Sequence, residues 1–240
     1  MLTKNSYVDF VSDNYFEKCV KHVCDSFSAL VQNIDVGELQ KNGIDPFKMT
    51  FDMMNLRIDF DAWLKKEDSR QKDKTVNNTI GEFHQMLLGG VKGWRDLGTG
   101  DESHLDLQKN DDSIFMELKN RENTVNADSL AGVRKKLVTA NKRFPNAQCY
   151  WGYIVAKNGK SEEKEWIYDG KKNNMIKRIS GTKVYEIVTG DVNALENVWK
   201  ALPGAIRKVC DTTYKFSEKD EGVFMEWFKQ AFFRDRAKKK

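Results

Sequence analysis

Asp106, Glu117 and Lys119 stand close together near the middle of the chain, and their types suit chemistry at a phosphate. Two carboxylates can hold a divalent cation, and an amine beside them can steer a water molecule. Their spacing brings them together. In the run Ile114-Phe115-Met116-Glu117-Leu118-Lys119, alternate residues of a strand share a face. Ile114, Met116 and Leu118 then turn to the core, and Phe115, Glu117 and Lys119 turn the other way. Leu105-Asp106-Leu107 reads likewise, with both leucines inward and Asp106 outward beside His104 and Gln108. A two-residue turn at Asp111-Asp112, or a four-residue loop, pairs Asn110 with Ser113, Leu107 with Met116 and Asp106 with Glu117. Directly opposed residues project from one face with Cβ atoms ~5 Å apart. A slip of one residue would set Met116 against Asp106 and destroy the pattern.

Two ionised carboxylates so placed repel by roughly 1 kcal/mol in water, and by more where water is excluded. Lys119 relieves part of that repulsion, and a divalent cation relieves far more. Oxygen ligands favour Mg²⁺, which keeps several waters and accepts a phosphate oxygen. The backbone carbonyl of Leu118, between the two side-chain positions, is a natural further ligand. Lys119 can then orient or deprotonate an attacking water while the cation stabilises charge developing on phosphorus. The polar segment from Asn120 to Asn126 follows at the mouth of this site. Arginine pairs with guanine edges or phosphate and asparagine with adenine edges. Asn120, Arg121, Asn123, Thr124 and Asn126 are therefore candidate DNA contacts, as are His104 and Gln85. A plain loop with turn-forming asparagines is the competing reading.

The elements that must position these groups follow from periodicity and punctuation. Helical spacing of apolar residues covers 6–33, 46–56 and Asp59–Leu88, with Gly89-Gly90 ending or bending the last. The period then switches to two, giving strands at His104–Lys109 and Ile114–Asn120. A helix over Ala127–Phe144 ends at Pro145, and Gln148–Ala156 is a strongly apolar strand. Glu165–Tyr168 and Lys183–Val188 read as further strands. Val192–Cys210 and Ser217–Arg236 read as closing helices, the first interrupted at Pro203-Gly204. The expected fold is an α/β domain with a mixed central sheet flanked by helices. It forms one domain over 1–240, with a helical N-terminal part (1–58), a core (59–190) and C-terminal helices (191–240).

Bulk properties narrow the classes. The 240 residues suffice for one sizeable core, and 3 prolines argue against long linkers. The net charge of +4 permits a nucleic-acid partner without requiring one. No CxxC pair exists among Cys19, Cys24, Cys149 and Cys210, which disfavours a zinc ribbon. The N-terminus lacks an apolar leader and no apolar run is long enough for a membrane span, so a cytoplasmic protein with reduced cysteines is expected.

The whole chain resembles a family of type II restriction endonucleases of the PD-(D/E)XK superfamily, those recognising GGNCC-type sites. The residues carrying the resemblance are Ile44-Asp45-Pro46-Phe47, Trp63-Leu64, Ile80-Gly81-Glu82-Phe83-His84-Gln85, Gly93-Trp94 and above all Glu117-Leu118-Lys119-Asn120-Arg121. The family's proline before the metal-binding aspartate is missing, and Leu105 stands there. The resemblance implies a restriction-endonuclease-like core and Mg²⁺-dependent hydrolysis of double-stranded DNA at a short palindrome by a homodimer. It also implies a methyltransferase partner protecting host DNA, and a helical glutamate, Glu82, supporting the metal site. Competing readings are a repair or structure-specific nuclease of the same fold, or a non-catalytic DNA-binding protein.

Overall fold

Capping residues set the helix boundaries in the computed structural model. It describes residues 5–30, 36–41, 43–98, 105–124, 126–167, 170 and 172–234. Helix α1 (Asp13–Leu30) starts at the aspartate whose carboxylate accepts from the Ser6 amide, later than the apolar spacing predicts. After the short α2 (Val36–Lys41), Asp45 caps α3 (Pro46–Leu56) through the Phe47 and Lys48 amides. Asp59 caps the long α4 (Phe60–Gly89) through the Ala62 amide.

The chain then builds a six-stranded sheet. Strands β1 (Trp94–Asp96), β2 (Leu107–Lys109) and β3 (Ile114–Arg121) form an antiparallel meander. Helix α5 (Ala127–Arg143) crosses over to β4 (Gln148–Val155), which runs parallel to β3. Strand β5 (Glu163–Glu165) pairs antiparallel with β6 (Ile176–Ser180), which lies parallel to β4. The spatial order is β1-β2-β3-β4-β6-β5. Helices α6 (Gly181–Thr189), α7 (Ala194–Val209) and α8 (Glu218–Phe232) close the chain.

Both faces of this sheet are covered. On one side Leu107, Met116 and Leu118 pack with Phe83 and Leu87 of α4 and with residues of α1, α6 and α7. On the other, Phe115, Trp151 and Tyr153 pack with Val133 and Leu137 of α5. The side of β3 that carries Glu117 is thus a second core face. At Gly152 of β4 an added Cβ would lie 2.7 Å from side-chain atoms of both Leu118 and Val184, so only glycine lets α6 press onto the sheet beneath β3.

Five sequence expectations are corrected. The strand expected at Glu165–Tyr168 is β5 over Glu163–Glu165, with 166 and 167 in no strand and Tyr168 outside the described residues. Lys183–Val188 lies in α6, where Val184, Tyr185 and Val188 form one buried stripe; a short apolar run fits either period. The strand beside β4 is instead β6, whose burial does not alternate. Pro203 does not interrupt α7, because Leu195, Val198 and Ala205 keep one stripe buried on both sides of it. Leu105 and Leu107 do not share a face: Leu105 joins the Phe115 cluster and Leu107 the Met116 cluster. The backbone turns between them, since the Asp106 amide donates to Met116 of β3 while its carbonyl accepts from Leu97 beyond β1.

Candidate active site

β3 is eight residues long and β2 only three, so the end of β3 runs past its neighbour. The pairing Leu107↔Met116 is the expected register. Asp106 sits immediately beyond it, and its carboxylate takes over where the ladder stops. Its Oδ2 accepts from the Leu118 amide at 2.6 Å. Main-chain N–H and C=O groups of one strand residue point to the same side, so the Leu118 carbonyl faces the same open flank. Together with Lys119, Gly81 and Gln85, these groups line a cleft of about 520 Å³ between α4 and the end of β3.

Glu117 lies deeper, 1% exposed. Its Oε1 accepts from Lys119 Nζ at 2.8 Å and from Lys136 Nζ at 2.9 Å. Its Oε2 is buried with no hydrogen-bond partner among the described residues. A buried carboxylate oxygen left without a donor is costly unless something binds it. Asp106 is pushed up to about 6, first by burial and then by the charge of Glu117; Lys119, the Leu118 amide and Lys136 act against the rise. The acids therefore share one electrostatic environment with Lys119 and Lys136.

Other candidates are placed as follows. Asn120 and Arg121 line the cleft with Asp106. Gln85 lines it too, and its amide donates to Asp96 Oδ1 at 2.7 Å. Asn123 is exposed in the 3-10 turn Glu122–Thr124. Asn126 caps α5, accepting from the Ser129 amide at 2.8 Å, so its side chain is committed to the helix. Glu82 does not join the acids. It turns toward α1, where its Oε2 meets His22 Nε2 at 2.7 Å. The α4 face toward the cleft carries Asn78, Gly81 and Gln85, and Glu82 is one position, about 100°, round the helix from Gly81. His104 and the side chain of Thr124 lie outside the described residues.

Lys136 and the α4 residues Lys74 and Asn78 belong to this neighbourhood, and sequence reading missed them. Nothing in the local sequence marks Lys136, which is one of several polar residues on an amphipathic helix. Only the packing of α5 on β3 brings it to Glu117.

A profile of the Eco47II restriction endonuclease family matches residues 8–211. The chain belongs to that family. It is 28% identical to the type II restriction enzyme Sau96I of Staphylococcus aureus over 242 residues, covering 97% of this chain and 92% of the relative. It is 31% identical to the type II restriction enzyme Eco47II of Escherichia coli over 205 residues, covering 80% and 84%. The expected family, restriction-endonuclease-like fold and DNA-cleaving hydrolase class are thereby borne out.

As a type II restriction endonuclease, the protein needs groups that act on the phosphodiesters of double-stranded DNA. No three His, Cys, Asp or Glu side chains converge as a metal cage among the described residues. The donor set at the end of β3 fits a hard cation of another kind, one bound by one or two carboxylates, a carbonyl, waters and substrate phosphate. The orphaned Glu117 Oε2 is the observation that favours such an ion. No helix among the described residues is long and apolar enough to cross a membrane.

Proposed function

We propose that this restriction endonuclease is a Mg²⁺-dependent homodimer that cleaves double-stranded DNA within a GGNCC-type palindrome, beside a methyltransferase acting on the same site. The observation that carries the metal assignment is the buried carboxylate of Glu117, whose free oxygen lies in one electrostatic environment with Asp106 at a cleft wall. Asp106, Glu117 Oε2 and the Leu118 carbonyl would hold the ion. Bound there, Mg²⁺ supplies Lewis-acid stabilisation of charge on the phosphate. Two-fold symmetry suits a palindrome, because each subunit then reads one half-site.

The chain's own groups do the rest. Lys119 is 37% exposed, so its ammonium reaches both Glu117 Oε1 and the solvent of the cleft. It orients the attacking water with one N–H while the carboxylate fixes its position. Asn120 and Arg121 follow on the same strand and meet the DNA at the cleft mouth, Arg121 through phosphate or a guanine edge. Lys74, from α4, adds positive charge at the opposite wall.

Digestion of unmethylated phage DNA tests the proposal. With millimolar Mg²⁺ the expected result is a set of discrete fragments whose mapped ends all fall at GGNCC sequences, abolished by a chelator. Fragments ending elsewhere, cleavage restricted to branched DNA, or full activity in the chelator would each overturn the corresponding part.

A further inference from the structure

Val133, Leu137 and Ala140 form the buried stripe of α5 against the sheet. Lys136 borders that stripe and extends to the end of β3. Its ammonium and that of Lys119 donate to the same oxygen of Glu117, at 2.9 and 2.8 Å. One ammonium suffices to neutralise one carboxylate, so the second needs another explanation. With both acids ionised, Asp106 and Glu117 carry two negative charges, and Lys119 and Lys136 carry two positive ones. The charges of these four side chains therefore sum to zero. A dication entering this cluster meets two fixed ammonium groups in a partly desolvated site, where charges act strongly. A DNA phosphate brings the missing negative charge.

We propose that Lys136 is a positioning residue that makes metal loading depend on DNA. Its ammonium clamps Oε1, which leaves Oε2 as the ligand oxygen. Its charge weakens cation binding to the free enzyme until a phosphate arrives. This rests on the metal site assigned under the proposed function. Coupling of this kind is reciprocal: DNA tightens the cation as much as the cation tightens DNA. Lys119 cannot serve alone, since the Glu117–Lys119 pair with Asp106 would leave a net negative site that binds cations without DNA.

The test is calorimetric titration of Ca²⁺ into the full-length free protein, and again in the presence of a GGNCC duplex. Lys136→Gln keeps a hydrogen-bond donor and removes the charge. It should bind Ca²⁺ without DNA at least about fivefold more tightly than the parent, and its duplex binding should respond less to Ca²⁺. Lys136→Arg, which keeps the charge, should stay within about twofold of the parent. Lys136→Met serves the same purpose if the glutamine variant folds poorly, as judged by circular dichroism. Unchanged or weaker Ca²⁺ binding in the uncharged variant would overturn the role of Lys136. Glu117→Ala separates the two ideas. If it loses Ca²⁺ binding while Lys136→Gln matches the parent, only the Lys136 proposal falls. If Glu117→Ala binds Ca²⁺ like the parent, the metal site itself is wrong and both fall.

Discussion

Glu67, in the N-terminal third of α4, and Glu117, in β3, are both buried acids, 5% and 1% exposed. Their oxygens are treated differently. Both oxygens of Glu67 are bonded: Oε2 accepts from Arg70 Nε at 2.8 Å, and Oε1 accepts from the other arm of the Arg70 fork and from Gln71 at 3.1 Å. Those Arg70 hydrogen bonds hold its carboxyl below the usual range. Glu117 has two ammonium groups crowded on one oxygen and, among the described residues, no hydrogen-bond partner on the other. The contrast separates an acid bonded for structure from the one proposed to hold a cation. The first is satisfied by its own helix; the second is gathered from two elements and left one ligand short.

Replacing each acid breaks the comparison most directly. Glu117→Gln should lower plasmid cleavage by roughly 10³-fold, with little change in folding, because it removes charge stabilisation at the reacting centre. Glu67→Gln should leave the cleavage rate per folded molecule within about twofold of the parent. Equal losses in the two variants would erase the distinction.

Metal linkage sharpens it. Mg²⁺ at a hundred times its dissociation constant should raise the unfolding free energy by about 2.7 kcal/mol, measured by urea titration. Glu117→Gln should show almost none of that gain, and Glu67→Gln should keep it. Without metal the ranking reverses. Glu67→Ala should cost about 2 kcal/mol of stability by leaving the Arg70 fork without its partner. A cost near zero would mean that the half-exposed Arg70 simply turns to water.

The smallest effect concerns His84, a third ionisable group on α4. Its Nδ1 meets the Tyr185 hydroxyl at 2.7 Å, and burial pushes its imidazole down to about 4 from the ordinary 6.5. The unfolded chain binds the proton more readily, so this stability is full above about 6.5 and is lost as the pH falls toward 4. His84→Gln should flatten the decline between pH 7 and 4.5 by about 2 kcal/mol. An unchanged slope in urea titrations at the two pH values would show that another group carries it.

Much of the β2–β3 hairpin was legible because strand chemistry is local. The alternation around Met116 and the turn residues Asp111 and Asp112 set the register Leu107↔Met116, and the structure has it. Helix α4 was legible from its cap and stripe. Two of the failures share a cause. Ile176–Ser180 and Lys183–Val188 are too short for a period to declare itself, and the neighbours covering both faces decided between strand and helix. The turn of backbone at Asp106 was equally invisible, because it depends on β1 lying on the far side.

From the amino-acid order come the candidate groups Asp106, Glu117 and Lys119, the strand carrying the last two, and the register Leu107↔Met116. Nearest-neighbour patterning suffices for that, since side-chain direction in a strand repeats every two residues. The tertiary structure alone decided that Glu117 is buried, that Lys136 shares its oxygen, that Glu82 turns to His22, and that the Asp106 carboxylate replaces a strand at the Leu118 amide. Lys136 arrives by the packing of α5 on β3, His22 and Glu82 meet between two helices 60 positions apart, and the Asp106 carboxylate is set by its backbone turn against β1; no local pattern encodes which side chain a distant element will bring.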